Sequence, residues 1–184
     1  MTSIVEAAIE TLYEARIPLG PGLTNAEIAD IEQQFDIRFS PDHVGLLSLA
    51  TPIGPGWVDW LGDPDGIQQR LNWPLEGALF DVEQNAFWPD EWGERPSETA
   101  AALQVAREQM RLVPTLIPIY SHRYLPGAPA PAGSPVFSVH QTDVIYYGSD
   151  LAAYFAAEFF RDPDLQAPTH RVDFWSDLAE GRWT

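Results

Sequence analysis

The chain of 184 residues contains no cysteine. That one absence excludes disulfides, thiolate zinc sites, iron–sulfur clusters and cysteine nucleophiles. It also fits a reducing cytoplasm, which is the expected location. Lysine is absent as well. All ten basic residues are arginine, against 27 acidic ones, for a formal net charge of −17. No run of about 18 apolar residues occurs, so no membrane-spanning helix is expected. The opening residues Met1-Thr2-Ser3-Ile4-Val5-Glu6 place an acid early and no basic patch before an apolar stretch, so no secretory leader is expected. Histidine is scarce: His43, His122, His140 and His170 show no close metal-ligand spacing, and neither a metal nor a cofactor is expected.

What is present starts with acidity. A strongly negative surface repels nucleic-acid phosphates and anionic lipid headgroups, so nucleic acid and membrane are excluded as partners. It attracts a basic protein and speeds encounter with it. The competing reading is that the charge serves solubility alone. A chain of this length suits one domain, 1–184, with a core over about 22–160, an N-terminal helix within 1–21 and a C-terminal extension over 162–184. A monomer is favoured.

Helix signals are clear. Ser3 and Glu6 form a capping box ahead of Ile4, Val5, Ala8, Ile9 and Leu12 at helical spacing, and Pro18 ends that helix near Arg16. Thr24 and Glu27 form a second box, with Leu23 and Ile28 placed as a hydrophobic staple. Ser40-Pro41-Asp42 opens a third helix whose Val44, Leu46, Leu47 and Leu49 are available to the core. Ser97 is read as the cap of a helix to about Arg111, Asp150 as the cap of one carrying Leu151, Tyr154, Phe155 and Phe159, and a short last helix is expected from about Val172. Leu116–Tyr120 is a strand with an internal proline, hence an edge or a bulge. Val136–His140 and Val144–Tyr147 make a hairpin around Gln141-Thr142-Asp143. Gly127–Ser134 reads as a surface loop. The expected class is α+β: an antiparallel or mixed sheet with helices packed mainly on one side.

The stretch from Thr51 to Pro96 differs from its surroundings. It holds five of the seven tryptophans and nine acidic residues against Arg70 and Arg95. Frequent Gly and Pro predict short strands and loops there, with a weak strand near Leu79–Val82. Asp63-Pro64-Asp65-Gly66 lacks the ligand spacing and terminal glutamate of a calcium loop and reads as a type I turn.

Two segments carry a family resemblance. Gly22-Leu23-Thr24-Asn25-Ala26-Glu27-Ile28-Ala29-Asp30-Ile31-Glu32, followed by Ile37-Arg38-Phe39-Ser40-Pro41-Asp42-His43-Val44-Gly45-Leu46-Leu47, resembles the opening helices of the SUKH superfamily, the Smi–Knr type. Ile117-Pro118-Ile119, the strand-turn-strand from Pro135 to Gly148 and the helix from Asp150 are similar to its later part. The resemblance spans most of 22–160 and rests on core and cap patterns. His43 stands where an aromatic, often tyrosine, is usual, and the Gly127–Ser134 loop and the tail after Asp162 look like additions. The resemblance implies a SUKH-like fold and a non-enzymatic role. Bacterial members look like immunity proteins that neutralise toxins, and fungal members resemble scaffolds.

Catalytic signals are weak. His140 and Asp143 flank a turn, and His122 approaches a strand, which is the basis for a His-dependent hydrolase as the remotest alternative. Gly148-Ser149-Asp150 lacks the second glycine of a nucleophile elbow, and Gly20-Pro21-Gly22 lacks the Gly-Lys-Ser/Thr of a phosphate loop. The expected function is therefore protein binding, by an immunity-type protein or an adaptor, toward a basic toxin or other effector. The candidate contact residues are Trp57, Asp59, Trp60, Trp88, Asp90, Glu91, Trp92 and Glu94, because rigid aromatics ringed by carboxylates suit a basic surface. Core filling is the rival role for each tryptophan. A small-molecule or peptide pocket lined by Trp57, Trp60 and Tyr124 is the alternative function.

Overall fold

Local capping starts the helices where the sequence places them. Ser3 accepts the amide of Glu6 and the Glu6 carboxylate accepts that of Ser3, so α1 (Ile4–Glu14) begins in a complete box. Thr24 and Glu27 do the same for α2 (Asn25–Phe35), and the stapling pair Leu23 and Ile28 share one core cluster. α3 (Pro41–Leu49) follows with proline in its first turn. Its Ser40 hydroxyl makes no capping bond, and Leu49, expected in the core, is exposed. The computed structural model describes residues 3–163 and 166–182. Met1 and Thr2 of the N-terminal segment read above, and Asp164, Leu165, Trp183 and Thr184 of the C-terminal extension, lie outside the described residues.

The fold is α+β with two antiparallel sheets. A two-stranded ribbon pairs β1 (Leu19–Pro21) with β2 (Ala50–Pro52). A four-stranded meander runs β3 (Leu116–Tyr120), β4 (Arg123–Pro126), β5 (Val136–His140) and β6 (Asp143–Gly148). β3 lies at the sheet edge with an irregularity between Pro118 and Tyr120, as its proline requires. Strand β1 had no sequence expectation, and β2 and β4 were anticipated without bounds, since three or four residues leave too little alternation to read.

Helices lie against both faces of the meander, where packing mainly on one side was expected. Successive strand residues point to opposite faces, and β3, β4 and β5 bury neighbours on both. Tyr124, Phe137 and Val139 pack with Val82, Ala102 and Trp175, from α4 (Pro64–Gln84), α5 (Thr99–Met110) and α7 (Trp175–Ala179). Leu125 and Val136 pack with Ala8 and Leu12 of α1 and with Leu151 and Phe155 of α6 (Leu151–Phe160). On that second face the Arg123 guanidinium donates to Glu158 at 3.0 Å and to Ser138 at 3.0 Å, and sits 3.8 Å from the Tyr147 ring centre.

The largest departure from expectation is α4. Residues read as loops with a weak strand at Leu79–Val82 form one helix of 21 residues. Asp63, read as part of a type I turn, is its cap and accepts the Gly66 amide at 3.0 Å. Pro74 forfeits a helix hydrogen bond, a loss of about 3 kcal/mol in an unsupported helix. Burial of Ile67, Pro74, Ala78, Leu79 and Val82 offsets it. The helix also docks on the β5–β6 turn. Asp81, 4% exposed, accepts the Thr142 amide at 2.9 Å, the Thr142 hydroxyl at 2.6 Å and the Asn85 side-chain amide at 2.6 Å. Gly77 permits the approach: a Cβ there would stand 2.6 Å from Gln141 Cα.

Smaller corrections concern the ends. The helix expected from Ser97 has Glu98 at its cap position. The last helix starts at Trp175, and Val172 precedes it, still buried. Gly127–Ser134 is a surface loop, as expected, and it is tied down: its Gly127, Ala128 and Gly133 amides donate to the Thr115 and Arg38 carbonyls and the Asp42 carboxylate at 2.8, 2.8 and 2.7 Å.

Asp81→Ala strips a half-buried turn amide and hydroxyl of their acceptor and is expected to cost about 2 kcal/mol. Urea denaturation followed by circular dichroism measures it, and a loss below about 0.5 kcal/mol, the level of an ordinary surface change, would contradict the docking role. Gly77→Ala is expected to destabilise too, although alanine is the better helix former by about 1 kcal/mol.

Candidate functional site

The ribbon β1–β2 and the segment that follows it enclose a cleft of about 470 Å³. Gly22 holds the ribbon against α3, since a Cβ there would fall 2.0 Å from the Ser48 carbonyl oxygen. The chain then turns at Gly54 and reaches Trp57, which bridges to Tyr120 at the end of β3. The Trp57 ring packs on Tyr120 at 4.7 Å and stacks on Phe159 at 6.0 Å between centroids. Trp60 is buried edge-on against Phe39 at 5.0 Å and His43 at 5.9 Å. Both indoles therefore serve the core and the cleft wall at once.

The cleft has an acidic, apolar-lipped rim. Exposed Ile53 and Leu61 project at it, and the carboxylates of Glu27 and Asp59 line it with no basic residue among the lining. Bonding to the Thr24 amide, and then to its hydroxyl, holds the Glu27 carboxyl below its usual range. Asp59 is fixed by its own turn, accepting the Gly62 amide at 2.9 Å and the Leu61 amide at 3.4 Å. Behind the wall lies a void of about 10 Å³ bounded by His43, Thr51, Pro52, Trp57 and Trp60. Burial alone pushes the His43 imidazole down to about 3, so the ring is neutral, and its Nδ1 has no partner among the described residues.

The structure divides the sequence-derived candidates. Trp57, Asp59 and Trp60 line the cleft. Trp88, Asp90, Glu91, Trp92 and Glu94 belong to a separate loop over the core beneath α5 and α7. There Trp92 packs on Trp88 at 5.3 Å, Phe87 at 5.7 Å and Phe174 at 6.3 Å, and the Trp88 indole donates to Gly93 at 2.7 Å. These two indoles are half-buried packing groups, while Asp90, Glu91 and Glu94 are exposed.

Tyr124, expected beside Trp57 and Trp60, is instead buried in the sheet and reaches a second cleft of about 360 Å³. Gln69, Arg70 and Trp73 of α4 and Ser121 and His122 of the β3–β4 turn complete its lining. The Tyr124 hydroxyl donates to the Arg70 carbonyl at 3.0 Å, and burial drives its phenol well above the usual range. The Ser121 hydroxyl lies 3.1 Å from His122 Nδ1, a contact overlooked in the sequence although the two are neighbours. Desolvation, then the charges of Arg123 and His140, keep the His122 imidazole below its ordinary value. His140 faces Asp143 across the hairpin end, exposed. Among the described residues no group of three His, Asp or Glu is arranged to hold a metal ion. No helix among the described residues is long and apolar enough to cross a membrane.

The chain matches no protein-family model, no curated protein and no solved structure.

His43 makes stability depend on pH. Its folded-state value lies below that of the free side chain, so the unfolded chain binds the extra proton, and stability is lost as pH falls from about 6.5 toward 3. His43→Phe, which keeps a ring against Phe39 and Trp60, removes that proton site. The stability of wild type relative to His43→Phe is expected to fall between pH 7.5 and pH 4.5 in urea melts, and a difference unchanged across that range would refute the burial of a neutral imidazole.

Proposed function

We propose that the protein is a non-enzymatic binding protein that receives a basic, partly apolar segment of another protein in the cleft between the β1–β2 ribbon and Trp57–Leu61. The observation that carries this reading is the union, in one cleft of about 470 Å³, of tryptophan walls, two exposed aliphatic lips and two carboxylates without a cation among the lining. That volume lies in the range of ligand-holding clefts. An arginine or lysine entering it finds carboxylates to pair with. Its aliphatic stem finds Ile53 and Leu61. The net charge of −17 adds steering toward a basic partner.

The resemblance to the SUKH superfamily gives the biological setting: neutralisation of a basic toxin by an immunity-type protein, or scaffolding of a basic effector. The α+β architecture is compatible with both. Asp90, Glu91 and Glu94, exposed on their separate loop, extend the acidic surface without belonging to the cleft.

The test uses substitutions that spare the local fold. Glu27→Gln keeps the capping box, and Asp59→Asn keeps the turn acceptor, so the double variant loses charge alone. It is expected to weaken binding of an arginine-rich partner about tenfold, roughly the 1.4 kcal/mol of one weakened charge pair, with an unchanged melting curve. Ile53→Ser with Leu61→Ser is expected to weaken it similarly. Partner capture from the native cell followed by titration calorimetry measures both, and full affinity in both double variants would reject the cleft.

A further inference from the structure

The second cleft has the opposite chemical character from the rest of the molecule. The chain carries 27 acidic residues and ten arginines, yet the lining of this cleft is Gln69, Arg70, Trp73, Ser121, His122 and Tyr124, with no carboxylate among them. Its donors are held in place. Arg70 Nη1 donates to the Gly56 carbonyl at 3.1 Å and the Ser121 carbonyl at 3.0 Å, which pins the guanidinium between α4 and the β3–β4 turn. A guanidinium has five N–H donors in a rigid fork, so that anchoring leaves donors for a ligand. Trp73 is fixed by its indole N–H to the Val139 carbonyl at 3.3 Å, while 39% of its surface stays exposed. A ring whose orientation is set and whose surface is open is a stacking platform.

We propose that this cleft binds a small planar aromatic molecule bearing one anionic group, the ring on Trp73 and the carboxylate or phosphate on Arg70, Ser121 and His122. Three features favour that occupant over a basic peptide. The lining offers a guanidinium and no carboxylate. The volume of about 360 Å³ suits a molecule of one or two fused rings better than a long peptide. The fixed guanidinium suits bidentate recognition of a planar carboxylate or a phosphate. The site is independent of the acidic cleft, so either assignment stands or falls alone.

Nitrogen-15 NMR of the intact chain provides the test, with indole-3-acetate and adenosine monophosphate as anionic probes and indole-3-ethanol and adenosine as uncharged counterparts. At least one anionic probe is expected to shift the Trp73 indole N–H and the Ser121 and His122 amides saturably, at least tenfold more tightly than its uncharged counterpart. Gln69→Glu places a carboxylate at the cleft while sparing the Arg70 anchors, and is expected to weaken that probe at least tenfold. Arg70→Met is expected to abolish binding; Gln69→Glu keeps the proposal testable if Arg70→Met unfolds the chain. Absence of shifts with both anionic probes, equal affinity for the uncharged counterparts, or undiminished binding in folded Gln69→Glu would each overturn it.

Discussion

Asp81 ties the last turn of α4 to the turn of the β5–β6 hairpin, and the position of that helix governs much else. The two hydrogen bonds from Thr142 to its carboxylate fix the rotation of α4 about its axis as well as its distance from β5 and β6, and the third, from Asn85, ties the carboxylate to the end of its own helix. With that rotation set, Ile67 enters the core below the acidic cleft, and Arg70 and Trp73 come to the β3–β4 turn. A buried carboxylate is costly unless its oxygens are satisfied, and here they are met by an amide, a hydroxyl and a carboxamide. The interaction therefore specifies geometry at least as much as it contributes stability.

The two clefts show how one strongly acidic chain produces separate chemical environments. Carboxylates at the first are held by local turns and caps, so their charge faces outward from a fixed backbone. The second is lined by Arg70, held from α4 against the β3–β4 turn, with no carboxylate among its lining. Long-range charge sets how molecules approach, whereas the short-range lining sets which of them stay.

Much of the architecture was legible because it is written in local chemistry. The capping boxes at Ser3 and Thr24, the cap at Asp150 and the hairpin around Gln141 occur where side-chain spacing places them. Helix α4 was not legible, because Gly66, Pro74 and Gly77 each count against a helix locally, while what supports it lies far away in sequence at Gln141 and Thr142. The acidic cleft was half legible: Trp57, Asp59 and Trp60 stand close together in the chain, but Glu27 joins them only through the fold. Trp88 and Trp92 have the same aromatic-and-acid signature and yet pack against Phe87 and Phe174. Composition does not distinguish an indole that closes a core from one that walls a cleft.

The capping role of Glu27 has a consequence for how the acidic cleft can diversify. Position 27 must return a bond to the Thr24 amide, which restricts it to an acid or its amide, and position 59 must accept from the Gly62 amide, which restricts it to a short side chain with an acceptor oxygen. The rim can be neutralised, but its sign cannot be inverted at either place without loosening a helix start or a turn. Ile53 and Leu61 are exposed and carry no such duty, which makes them the positions at which a new preference can arise while the scaffold stays as it is.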